Sequence, residues 1–262
     1  MIEKKSLLTQ LEILSYILKT FRGRQGTIIS GRKSMDSIVL DNITFQLGAD
    51  DLAKKLHLRK DSPHVNDLNP LIREAQIIAK PKALYKVAFI ESKGDGYVTV
   101  DGIMLKSRVL RVNLDQAYRI FPYAVTCGLE LEDWTNDMTD LLQRYWAGAI
   151  KETILLRAID FLKEHLIEYY QLGQVSRMSP GSLSDWPIQE QRPLFAILGN
   201  TRDLIGVHLT EGLMMVPTKS VSGILFPTEI NFVSCQLCPR EVCPGRKATY
   251  DKDLYDRKYR LK

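Results

Sequence analysis

The 262-residue chain is 45% hydrophobic and 26% charged, the balance of a globular protein able to bury one large core or two modest ones. Its formal net charge is +5, with basic residues gathered at the two ends: Arg22, Arg24, Arg32 and Lys33 near the start, and Arg257, Lys258, Arg260 and Lys262 at the finish. No apolar run is long enough to cross a bilayer, Met1-Ile2-Glu3-Lys4-Lys5 leads into no continuous signal core, and the basic ends lack the interleaved aromatics of a nucleic-acid stacking platform; the expectation is a cytoplasmic protein with no membrane and no nucleic-acid partner.

Residues 2–20 read as an amphipathic helix, with Leu7, Leu11, Leu14 and Leu18 on one face. Gly23 and Gly26 end it. Residues 27–47, rich in Ile, Val and Thr, read as one or two strands. Gly26 and Gly31-Arg32-Lys33-Ser34 imitate the end of a phosphate-binding loop, but Arg32 breaks the Gly-Lys pair, and a basic hairpin loop is the plainer reading. Residues 49–58 and 64–79 read as two short helices, broken at Asp61-Ser62-Pro63, with Pro70 near a helix start or kink.

Residues 83–92, 97–100 and 103–105 read as strands turned at Gly94-Asp95-Gly96 and Asp101-Gly102. Asp-Gly between apolar runs is a hairpin signal, so the sheet is expected to be antiparallel. Residues 120–127 read as a buried strand ending at Gly128. A helical region follows over about 130–170, with Leu155, Ile159, Leu162, Leu166 and Tyr169 on one face, and it reads as two helices joined near Gly148. Gly173 is the expected stop, and Asp185 the expected N-cap of a short helix running to Leu198. The fold class is α+β: a curved antiparallel sheet flanked by helices. The expected segments are a mainly helical region at 1–80, a core at 81–234, and a cysteine-bearing basic tail at 235–262.

Three motifs stand out in the second half. They are Arg177-Met178-Ser179-Pro180-Gly181-Ser182, then Leu209-Thr210-Glu211-Gly212-Leu213-Met214-Met215-Val216-Pro217, then Ser220-Val221-Ser222-Gly223. In order and spacing they resemble the activation domain of cobalamin-dependent methionine synthase. That family has Arg-x-x-x-Gly-Tyr after a long helix, then Leu-Thr-Glu-Ser-x-x-Met-x-Pro and Ser-Val-Ser-Gly. The resemblance is close over about residues 120–232 and loose over the first hundred. It implies a C-shaped α+β fold that binds S-adenosylmethionine and supports reductive methylation of a corrinoid. An electron reduces inactive cob(II)alamin, and the sulfonium methyl traps the reduced form. The cofactors carry the bond changes while the protein supplies position and charge.

By this resemblance Arg177 meets the ligand carboxylate as a planar charged fork. Pro180 stiffens the loop, and Gly181 lets the ligand approach the backbone. Asp160 or Glu164 on the preceding helix faces the ligand ammonium. The sequence departs from the family pattern at Ser182, which replaces the tyrosine beside the ligand, and at Ile224-Leu225, which replace aromatic residues. Thr210, Ser220 and Ser222 are expected to satisfy backbone groups rather than touch a ligand. No Asp-x-His-x-x-Gly corrinoid motif occurs in the sequence. Cobalamin is therefore expected on a partner chain, a corrinoid-binding methyltransferase subunit such as a methionine synthase lacking its own activation domain, or else a demethylating methyltransferase.

Three of the four cysteines, Cys235, Cys238 and Cys243, fall close together with Pro244 after the last. In a reducing compartment such clustering favours a metal over disulfides. The spacing suits an iron–sulfur cluster, with zinc as the competitor. Cys127 is the candidate fourth ligand, against the plain role of a small buried residue; His208 is the alternative. His57, His64 and His165 show no ligand spacing. Together the motifs lead to an expected reactivation partner that uses S-adenosylmethionine as methyl donor. Its cysteine-bound cluster relays an electron from flavodoxin or ferredoxin. The alternative is a non-catalytic docking module with structural zinc.

Overall fold

In β6 (Arg119–Thr126) every residue after the first is buried, because the strand has a core on each side. Phe121, Tyr123 and Val125 enter one core, and Ile120 and Ala124 the other. This is the alternation of a strand covered on both faces. The description, from a computed structural model, covers residues 36–59, 62 and 64–260; the helix expected over 2–20 and the loop at Gly31 lie outside it.

Along one edge of β6 runs β10 (Ser220–Pro227), paired from Ser220 opposite Thr126 to Leu225 opposite Phe121. The other edge is shared. β2 (Lys82–Tyr85) takes its second half and β3 (Ala88–Lys93) its first. β1 (Ile38–Leu40) extends the sheet from β2, while β4 (Tyr97–Val100) and β5 (Ile103–Lys106) extend it from β3. β7 (Val175–Met178) lies outside β10 as an edge strand. The eight strands pair antiparallel throughout. Two strands diverging from one edge of β6 make the sheet curl, and the expected curved α+β fold is what forms.

One face carries α1 (Ala49–Lys55), α2 (His64–Ile78), α4 (Leu129–Asn136) and α5 (Leu141–Tyr169). Trp146, Ile150, Ile154, Ala158, Leu162 and Leu166 of α5 bury against Phe121, Tyr123, Val125 and Leu225. The other face carries α3 (Arg108–Asn113), α6 (Gln191–Leu198) and α7 (Thr201–Ile205). There Leu110, Leu194, Ile197 and Trp186 bury against Ala124, Ile224 and Phe226. A two-strand hairpin, β8 (His208–Leu209) with β9 (Met215–Val216), leads into β10. Among the described residues no helix is long and apolar enough to cross a membrane.

The Asp101-Gly102 hairpin forms as expected, with φ of 50° and 74° at the two turn residues. The helical region breaks elsewhere than at Gly148. Asp140 caps α5 by accepting from Leu142 N at 2.7 Å and Gln143 N at 2.9 Å. Gly148 lies inside α5, where one glycine costs about 1 kcal/mol, less than the packed face returns. The left-handed residue after α5 is Gln171, at φ 50°, rather than Gly173. Asp185 caps a different helix: its carboxylate accepts from Val109 N at 2.9 Å and from the Ser107 hydroxyl, at the start of α3. Neither α3 nor β7 is signalled in the sequence. At six and four residues they are too short to show a period.

Candidate functional site

The structure puts Arg177 on a strand. In β7 it pairs with Leu225 of β10, which pairs with Phe121 of β6. The three residues form one row across the sheet, on the face covered by α5. Leu225 and Phe121 are buried there, and Arg177 is half-buried at the open edge. Among the described residues no hydrogen bond or ion pair engages the Arg177 side chain. Arg119 lies two residues before Phe121, on the same face. Its guanidinium sits 5.2 Å from the Phe121 ring and 5.1 Å from the Tyr170 ring. Burial pulls the Arg119 pKa down, opposed by its interaction with Tyr170. Neither arginine has a carboxylate partner among the described residues. Arg177 is therefore a half-buried cation with no carboxylate partner among the described residues, which suits a carboxylate ligand.

Beyond Met178 the chain turns a tight corner. Ser182 N and the Ser182 hydroxyl both donate to Ser179 O, at 3.2 and 2.6 Å. Gly181 N donates to Trp186 O at 2.7 Å. Pro180, Leu183 and Trp186 are buried and anchor the corner, while Gly181 and Ser182 are exposed. Gly181 has φ 82°, a conformation that strains any residue with a Cβ. A Cβ there would also meet Ile188 Cδ1 at 2.8 Å. Arg177, Pro180, Gly181 and Ser182 are thus brought together at one edge of the sheet. The Ser182 hydroxyl, however, is occupied by the turn itself.

Asp160 and Glu164 are not brought to this edge. Both lie on the exposed side of α5, each two residues from the packed stripe of Ala158 and Leu162. At about 100° per residue they sit on the side away from the sheet. Thr210 serves the backbone as expected, its hydroxyl accepting from Met214 N at 3.1 Å, and Ser220 donates to Pro217 O at 2.7 Å. The Ser222 hydroxyl is buried without a partner among the described residues.

Tyr123 belongs to none of the three sequence motifs. It is directly opposite Gly223, fully buried, and its hydroxyl has no partner among the described residues. The signal available was a phenol among the apolar residues from Ile120 to Val125, since a buried Tyr usually bonds its hydroxyl.

Cys235, Cys238 and Cys243 lie in one partly exposed loop after β10. Arg246 holds that loop, donating to the carbonyls of Cys235 and Ala248 at 3.3 Å, of Cys238 at 3.5 Å, and of Arg240. Cys238 packs at the edge of the core on the α6 face. Cys127 does not join them. It shares the parity of Tyr123 and Val125, so it enters the opposite core, on the α5 side. Burial pushes its thiol up to about 12, as for a small buried apolar residue. Among the described residues no group of three His, Cys, Asp or Glu side chains could hold a metal ion, His208 included. As placed, Cys235, Cys238 and Cys243 form no such group.

Residues 160–232 match the family model described as the vitamin B12 dependent methionine synthase activation domain. A crystal structure of the MetH reactivation domain bound to AdoHcy shares the fold, with a TM-score of 0.54 at 15% sequence identity, over 77% of this chain and 82% of that one. No curated protein matches the chain. The likeness read from the motifs is borne out, and so is the curled antiparallel fold. The matched segment takes in the Arg177 corner, the β8–β9 hairpin and β10; it stops short of Cys235.

Proposed function

We propose that this chain is a reactivation component for a cobalamin-dependent methyltransferase, binding S-adenosylmethionine at the Arg177 corner and presenting its methyl group to a corrinoid on another chain. The observation that carries this reading is an unpaired, half-buried Arg177 on an edge strand inside the segment that matches the activation-domain family. When bound, the sulfonium supplies the methyl group and the partner's corrinoid accepts it, with an electron from a low-potential donor such as flavodoxin or ferredoxin.

The chain's own residues bind and orient. Arg177 pairs with the ligand carboxylate through two parallel N–H bonds. Gly181 leaves the backbone bare at the exposed tip of the corner. Pro180 and Trp186, both buried, keep the corner from collapsing onto the ligand. Arg177→Ala is expected to weaken S-adenosylhomocysteine binding roughly a hundredfold, the scale of a lost charge-assisted pair in a partly dry site. Isothermal calorimetry reads it directly, and unchanged affinity would move the ligand elsewhere. The function itself is tested by mixing the chain with a methionine synthase lacking its activation domain, S-adenosylmethionine and a low-potential reductant. Methylcobalamin should appear in the absorbance spectrum only when the chain is present.

The cysteine motif supports a further proposal on its spacing alone: an iron–sulfur relay first, structural zinc second. Binding a metal requires the Arg246-held loop to rearrange. Protein purified without oxygen should contain iron with matching sulfide if the relay exists. One zinc per chain favours the docking-module alternative, and neither metal removes the proposal.

A further inference from the structure

We infer that Tyr123 and Ser179 complete the carboxylate end of the Arg177 site, an inference that rests on the reading of that site as the S-adenosylmethionine pocket. The ring of Tyr123 crosses Gly223, its partner on β10. A Cβ built on Gly223 would lie 2.9 Å from Tyr123 Oη and 2.7 Å from Ser179 Oγ. Both hydroxyls therefore gather over the one position on β10 that has no side chain. Tyr123 and Gly223 pair beside the row of Phe121, Leu225 and Arg177, and Ser179, the residue after β7, lies next to Gly223. Two residues along a strand separate the pair from that row by about 7 Å, within the span of an arginine side chain.

Three donors are left over at this edge. Tyr123 Oη is buried with no partner among the described residues. Ser179 Oγ and the Arg177 guanidinium make no hydrogen bond there either. A buried hydroxyl left unpaired is costly, so native proteins rarely keep one without a use. A carboxylate accepts at about four lone-pair sites. It can take the two-pronged Arg177 and still accept from one phenol and one alcohol. The same contacts have no use for a ligand without a carboxylate.

The test uses the full chain, with calorimetry against two probes: S-adenosylhomocysteine, which has the amino-acid carboxylate, and methylthioadenosine, which lacks it. Tyr123→Phe removes one oxygen and keeps the ring. Its expected effect is a roughly tenfold weaker S-adenosylhomocysteine affinity with methylthioadenosine affinity unchanged, and Ser179→Ala should shift the same ligand in the same direction. A Tyr123→Phe protein that binds S-adenosylhomocysteine like the parent overturns the inference and leaves the site reading intact. Equal losses for both probes also overturn it, since that marks a packing role. A parent that binds neither probe overturns the site reading, and the inference with it. Thermal melting of each variant checks that the fold is unchanged.

Discussion

Lys151→Ala is expected to cost about 3–5 kcal/mol of folding stability, the usual penalty for leaving one member of a buried ion pair alone. Lys151 projects from α5 and is only 4% exposed. Its ammonium donates to Glu132 Oε2 at 2.5 Å and to Thr135 Oγ1 at 3.1 Å, both on α4. Glu132 also accepts from the Thr218 hydroxyl at 3.0 Å. One carboxylate thus ties α4, α5 and the link into β10. Removing the lysine leaves that carboxylate partly buried, with only Thr218 to solvate it. Replacing both partners, Lys151→Met with Glu132→Gln, should recover most of the loss, because the desolvated charges go together. Urea unfolding measures both effects, with the slope unchanged if only stability moves.

The pH dependence has a definite sign. Burial raises the Glu132 pKa, but the Lys151 hydrogen bond and charge outweigh it, so the folded value is depressed. A depressed carboxyl adds stability above its unfolded pKa of about 4.3 and loses it as the pH falls through the lower folded value. The deficit of Lys151→Ala should therefore be full at neutral pH and shrink in acid. A deficit that stays constant down to acid pH would show that the lysine acts by packing alone.

Gly223→Ala is expected to destabilise by about 2–3 kcal/mol and to disable the Arg177 site as well. The added methyl would press on the Met178 carbonyl, Ser179 Oγ and Tyr123 Oη. The two side chains can swing aside. The carbonyl belongs to β7, next to the pair Met178 opposite Ile224, and it can retreat only by parting β7 from β10. That movement takes Arg177 out of its row with Leu225. The melting temperature should fall by several degrees, at about 2–4 °C per kcal/mol for a chain of this size. S-adenosylhomocysteine affinity should fall with it. Full stability in this variant would mean that the strands part cheaply.

Much of the fold was legible because its signals are local. The Asp101-Gly102 turn needs two left-handed residues, and the sequence offers a pair that accepts them. The α5 face shows as steps of three and four from Leu155 to Leu166. α3 and β7 were invisible because six and four residues are too few to reveal a period. In chain order Asp185 suits the cap of the helix that follows it. Its carboxylate instead reaches α3, more than seventy residues back, a contact that only the packed sheet makes.

What the sequence determined by itself was the spacing of Arg177, Pro180 and Gly181, the motifs from Leu209 to Gly223 that carry the family likeness, and the α+β class with its antiparallel turns. Only the tertiary structure decided which of these groups meet. Strand parity is visible in a sequence, but which core each parity enters depends on partners far along the chain. That choice sends Cys127 to the face opposite Cys238, turns Asp160 outward, and lays Tyr123 across Gly223 toward the edge that holds Arg177.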